Sequence, residues 1–132
     1  MPADGGEAVQ LTRNGALWPV ESIDGKFVYY ARGLHLWKVP VQGGEESEVL
    51  KSVWATNYAI VNRGIYFVAM PDLSQNTSSI KFFSFATGKT TAIGIILGIA
   101  GWGLSVSPDE KFLLYTQVDQ SGSDLMLVEN FR

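Results

Sequence analysis

Three segments of this chain follow one plan, each opening with a tryptophan, and the tryptophans Trp18, Trp54 and Trp102 stand 36 and 48 residues apart, 42 on average. A period of about 40 to 45 residues constrains the fold more than any composition does, because a unit of that size cannot bury its apolar faces alone. Neighbours must stack to make one continuous core. Within each unit the tryptophan leads a short apolar run: Trp18-Pro19-Val20, Trp54 with Tyr58-Ala59-Ile60, and Trp102 with Leu104-Ser105-Val106. A polar turn follows, at Asp24-Gly25, Asn62-Arg63-Gly64 and Pro108-Asp109-Glu110, built from residue types that tolerate turn backbones.

The next run in each unit is apolar almost throughout: Phe27-Val28-Tyr29-Tyr30, Ile65 to Met70, and Phe112-Leu113-Leu114-Tyr115. Strands without in-out alternation have no wet face, so both faces are expected to be covered. A third strand follows (Leu34 to Val39, Ile80 to Phe85, Leu125 to Val128), then a fourth at Ser47-Glu48-Val49-Leu50 and at Thr90-Thr91-Ala92-Ile93. Four antiparallel strands per unit, covered on both sides by neighbours, describe an all-β fold, a β-propeller of blades around a central channel.

Met1 to Glu7 aligns without a gap on Val39 to Glu45, with Pro, both Gly and Glu identical. This internal match reads residues 1–12 as the last strand of a preceding blade, with Ala8-Val9-Gln10-Leu11 as a lone fourth strand. The expected division is a blade at 13–50, a blade at 51–97 and a final blade at 98–132 lacking its outer strand. The chain is thus expected to be a partial propeller of about three blades, the C-terminal portion of a larger one.

Composition narrows the function. A length of 132 residues with 46% hydrophobic residues fits one domain with a buried core. A net charge of -3 supplies no basic stripe to follow phosphates, so nucleic acid is not an expected partner. The absence of cysteine excludes disulfides and thiolate metal sites. The longest apolar stretch, Ala92 to Leu104, is interrupted by glycines and shorter than the roughly 20 residues of a membrane span, and reads as two buried strands and a turn.

Ser107-Pro108-Asp109-Glu110-Lys111-Phe112-Leu113-Leu114-Tyr115 resembles the Ser-Pro-Asp-Gly-Lys turn-and-strand signature of TolB-like (WD-repeat-like) propellers. Ser22-Ile23-Asp24-Gly25-Lys26-Phe27 is a second copy, and Leu36 to Pro40 with Gly43-Gly44-Glu45 is similar to that family's third-strand ending and turn. Ile23 stands where the signature has Pro, Glu110 where it has Gly, and the middle unit keeps only Gly64. The ending Gln117 to Phe131 resembles propellers fused in some bacteria to winged-helix regulators or serine/threonine kinases, which implies an upstream effector domain.

Catalysis requires a nucleophile, a base and an orienting group. The single histidine, His35, lies between Leu34 and Leu36 on a third strand and reads as structural. Asp119 to Asp124 has oxygen ligands at alternate positions but lacks the glycine and glutamate of a calcium loop, so it reads as a polar hairpin. Asn76-Thr77-Ser78 matches a glycosylation triplet. No catalytic residue, metal ligand or cofactor motif is assigned. Trp18, Trp54 and Trp102 are the candidate ligand-binding residues, placed near one mouth of the channel, with packing between blades as the competing use of the same rings. Three functions follow: a non-catalytic module for a protein or peptide partner, a half-propeller that homodimerises into a six-bladed ring, or the cap of a hydrolase or kinase.

Overall fold

The computed structural model describes residues 15–54, 57–119 and 122–129. They form eleven strands: β1 (Leu17–Glu21), β2 (Phe27–Arg32), β3 (His35–Pro40), β4 (Ser47–Leu50), β5 (Tyr58–Ile60), β6 (Gly64–Val68), β7 (Thr77–Ser84), β8 (Thr90–Leu97), β9 (Ile99–Val106), β10 (Phe112–Asp119) and β11 (Gly122–Glu129). Pairing is antiparallel throughout, in three sheets ordered β1-β2-β3-β4, β5-β6-β7-β8 and β9-β10-β11. This is the expected all-β partial propeller. The lone fourth strand read at Ala8–Leu11 lies outside the described residues.

Sheets stack because their central strands carry apolar side chains on both faces. Tyr29, Ala31 and Leu36 of the first sheet pack with Tyr58, Ile65 and Phe67 of the second. The alternate residues of the second sheet, Tyr66, Val68 and Ile80, pack with Leu113 and Tyr115 of the third. Every residue of β6 is buried, as its unbroken apolar run predicts. The inner strands approach one another: the Tyr58 hydroxyl donates to the Trp18 carbonyl, and β5 contacts β9.

Two apolar runs are less covered than the sequence predicts. On β8, Ile95 and Leu97 are 71% and 77% exposed, so the run from Ala92 to Leu104 is buried on one side only in its first half. On β10, Leu113 is buried while Phe112 and Leu114 are exposed, because no described sheet stacks on that side. On the other outward face, at the first sheet, the Tyr30 hydroxyl and Arg32 converge on Glu46, Arg32 at 2.6 Å, with the Arg32 guanidinium over the Tyr30 and Trp37 rings.

Gly64 opens β6 for want of space. A Cβ there would stand 1.9 Å from the Phe83 carbonyl oxygen and 2.8 Å from the Phe82 ring, and its backbone is not left-handed. Gly64→Ala is therefore expected to push β7 from β6 and cost about 3 kcal/mol, the upper range of overpacking. Urea unfolding of the variant would check this; an unchanged midpoint would contradict the close approach.

Candidate ligand-binding groove

The turns between first and second strands set what lies at each sheet-to-sheet junction. In the first sheet Ser22 Oγ donates to Asp24 Oδ1 at 2.6 Å and accepts from the Phe27 amide at 3.0 Å, while the Lys26 amide donates to Asp24 Oδ1 at 3.0 Å. The third sheet repeats these bonds: Ser107 Oγ to Asp109 Oδ1 at 2.7 Å, the Phe112 amide to Ser107 Oγ at 3.0 Å, and the Lys111 amide to Asp109 Oδ1 at 3.0 Å. Donors from Ser22 and Lys26, and from Ser107 and Lys111, hold both aspartates below the usual carboxylate range. Glu110 takes φ 59° where Gly25 takes 73°, so the glutamate occupies a left-handed position that its repeat-mate fills with glycine.

A side chain in that unfavourable backbone is held by its partners. Glu110 Oε1 accepts from Arg63 Nη2 and from the Tyr66 hydroxyl, both at 2.8 Å. Arg63 also lies over the Phe82 ring, 4.9 Å from its centroid, and Phe82 packs on Tyr66 at 4.6 Å. Burial and then the Glu110 bond push the Tyr66 hydroxyl up to about 12. The junction between the second and third sheets is closed by this carboxylate.

The junction between the first and second sheets has no such plug. The turn of the second sheet closes from Val61 to Gly64, whereas the third closes from Ser107 to Phe112, two residues longer. The short turn leaves an open groove of about 370 Å³, lined by Asp24, Phe27, Tyr29, Lys38, Asn62 and Phe85 among others. It continues outward past Glu48, Val49 and Phe83 through a further space of about 290 Å³. Tyr29 pairs with Lys38 across β2 and β3 as Tyr66 pairs with Phe82 across β6 and β7, so Lys38 stands in the place of Phe82.

Lys38 Nζ sits 4.5 Å from the Phe27 ring centroid and has no carboxylate partner among the described residues. The Tyr29 and Phe85 rings are 6.4 Å apart and nearly parallel, and Ile23 and Phe85 are exposed at the rim. Burial, then the Asp24 charge, raises the Tyr29 hydroxyl above its ordinary value. The groove thus offers a cation, an aromatic wall and an apolar lip.

The three tryptophans are not equivalent. Trp18 is the second residue of β1, at φ 55°, and 52% exposed. Trp54 precedes β5 by four positions, packs into the core between the second and third sheets, and donates Nε1–H to the Ala100 carbonyl at 2.9 Å. That ring bridges the second and third sheets. Trp102 is the fourth residue of β9, and its side chain lies outside the described residues. His35 is exposed at the start of β3, 3.6 Å from Glu48. In the segment from Asp119 to Asp124, Asp119 pairs with Gly122 in a hairpin whose turn residues lie outside the described residues. No group of three or more His, Cys, Asp or Glu that could hold a metal ion occurs among the described residues. The groove was not legible in the sequence, because it results from a turn two residues short and from the absence of a Glu110 counterpart across 40 residues or more.

No family model and no curated protein matches the chain. Among solved structures, it is similar to the tricorn protease, with 14% identity and a TM-score of 0.56 over 84% of this chain and 12% of that one. That likeness concerns the fold alone. Putative 6-phosphogluconolactonases from Bacteroides fragilis and Bacteroides uniformis align at 20% and 17% identity with TM-scores of 0.44 and 0.47, over 87% and 97% of this chain. The chain spans 12%, 38% and 45% of the lengths of these three proteins. No helix among the described residues is long and apolar enough to cross a membrane.

Two tests follow from the junctions. Glu110→Ala removes the partner of Arg63 and Tyr66 but keeps a Cβ at positive φ, with an expected loss of about 2 kcal/mol. Glu110→Gly loses the same partners and relieves the backbone, so it is expected to be about 1 kcal/mol more stable than Glu110→Ala in denaturant unfolding. The second test uses all five tyrosines, each raised above its ordinary value, chiefly by burial, with Tyr30 and Tyr66 at about 12. A raised folded value adds stability that is full below about pH 10 and lost as pH rises through the folded values. Tyrosinate absorbance is expected only above pH 10 and together with loss of circular dichroism; a tyrosine ionising near pH 10 in the folded chain would contradict it.

Proposed function

We propose that this chain is a non-catalytic recognition module of the TolB-like propeller type, which grips an extended acidic segment of a partner protein in the groove between its first two sheets. The observation that carries the reading is internal. At the neighbouring junction the chain supplies its own carboxylate, Glu110, to a tyrosine and a cation packed on aromatic rings. In the open junction Tyr29 and Lys38 are present and no carboxylate takes the place of Glu110, since Asp24 lines the groove from the first sheet's own turn. A guest carboxylate on Lys38, with a large apolar side chain against Tyr29, Phe85 and Ile23, completes the same arrangement. Asp24 Oδ1 is held by its own turn, through Ser22 Oγ and the Lys26 amide. The TolB-like assignment is supported by the repeated Ser-x-Asp hydrogen bonds at Ser22 and Ser107, and the non-catalytic reading by an exposed His35 whose neighbour is a glutamate.

An array of immobilised eight-residue peptides combining acidic, basic and apolar residues provides the test. The purified chain is expected to select peptides with an acidic residue next to a large apolar one. Lys38→Glu is expected to reverse the charge preference, and Phe85→Ala to weaken the selected peptides about tenfold, the loss of one aromatic anchor. Selection unchanged by Lys38→Glu, in a variant with wild-type circular dichroism, would overturn the groove as the site.

A further inference from the structure

Three times in this chain a tyrosine stands beside a cation that lies over an aromatic ring. In the first set Arg32 lies over Tyr30 and Trp37, and the guanidinium and the Tyr30 hydroxyl both donate to Glu46 Oε1. In the second Arg63 lies over Phe82, and Arg63 and the Tyr66 hydroxyl both donate to Glu110 Oε1, each at 2.8 Å. One carboxylate oxygen takes both donors in each case. The third set is Tyr29 and Lys38, paired across β2 and β3 with the ammonium over the Phe27 ring, and among the described residues no carboxylate accepts from either.

The Tyr29 hydroxyl makes the third set more than an accident of sequence. Tyr29 is 5% exposed, and its hydroxyl has no hydrogen-bond partner among the described residues, whereas Tyr30, Tyr58 and Tyr66 each donate to one. A phenol held in so little water is costly unless something accepts from it. Its oxygen is not sealed in the core, since among the described residues the sealed side-chain atom that lacks a partner is Asn57 Oδ1. Tyr29 borders both the inner and the outer space of the groove, and its hydroxyl opens there. Opposed residues of an antiparallel pair have Cβ atoms about 5 Å apart, so the hydroxyl and the Lys38 ammonium reach one guest group together.

Asp24 is not that acceptor. Its Oδ1 is held by Ser22 and the Lys26 amide, and it acts on Tyr29 through its charge, without a bond. The same charge limits what enters. A phosphoryl group carries about -1.5 to -2 charges and meets more repulsion from Asp24 than a carboxylate does. We infer that Tyr29 is the second donor of a two-point carboxylate clamp, in which one oxygen of a guest Asp or Glu accepts from the Lys38 ammonium and the Tyr29 hydroxyl, and which refuses a phosphorylated side chain. The inference rests on the groove being the binding site, and it assigns the chemistry that reads the acidic residue.

Tyr29→Phe removes the hydroxyl and keeps the ring, so the variant is expected to retain the circular dichroism of the unmodified chain. The probes are labelled eight-residue peptides in a Gly/Ser background, with Leu beside one position that carries Glu, Gln or phosphoserine, and affinities are read by fluorescence anisotropy. The unmodified chain is expected to prefer Glu to both alternatives. Tyr29→Phe is expected to lower the Glu-to-Gln preference about tenfold, the loss of one hydrogen bond to a charged group. A hydroxyl that served packing alone would leave that ratio unmoved. In the unmodified chain the Tyr29 Cζ NMR signal is expected to shift with the glutamate peptide and not with the glutamine one. A ratio unchanged in Tyr29→Phe, an unmoved Cζ signal, or phosphoserine bound as tightly as glutamate would overturn the clamp and leave the groove standing. A Glu-to-Gln preference that is absent, or that survives Lys38→Met, would overturn both.

Discussion

Burial of both faces of each sheet is the condition on which everything else in this molecule rests. β6 is covered on both sides because the first and third sheets flank it, and its residues alternate between the two core clusters. The same arrangement makes each sheet's stability a property of its neighbours. It also explains why the outward face of the third sheet, apolar by the same sequence rule, is bare at Phe112, Leu114 and Leu127. Covered and bare faces arise from one pattern, and only position in the arc distinguishes them.

At the turn end of each junction the apolar rule gives way to charge. Between the second and third sheets an arginine, a tyrosine and a glutamate meet at 2.8 Å, and the glutamate adopts a backbone that its repeat-mate leaves to glycine. Between the first and second sheets, a turn shorter by two residues supplies no counterpart of Glu110 to Tyr29 and Lys38. A difference of two residues therefore separates a sealed junction from an open one. The departure of Glu110 from the repeat signature is a structural device rather than decay of the motif.

Much of the fold was legible in the sequence because it depends on local chemistry. The Ser-x-Asp-x-Lys turns, the apolar second strands and β4 at Ser47–Leu50 all follow from short runs of residues. What failed to show depends on contacts between residues far apart. Trp54 resembles Trp18 and Trp102 in its repeat position, yet it lies ahead of β5 and its indole reaches the Ala100 carbonyl, 46 residues away. Gly64 reads as a turn glycine, but the Phe83 carbonyl on β7 is what excludes a side chain there. The exposure of Ile95 and Leu97 was equally hidden, since an apolar run does not state which of its sides meets a neighbour.

The two open features are on different parts of the arc, and this separation has a functional consequence. The groove lies at a junction whose sheets are both present, so its walls are set by their own packing. The bare outward face at Phe112, Leu114 and Leu127 lies on the third sheet, beyond a junction already sealed by Glu110. Whatever covers that face therefore leaves the walls of the groove unchanged, and what the groove accepts is decided by Tyr29, Lys38 and Phe85 at the junction of the first two sheets.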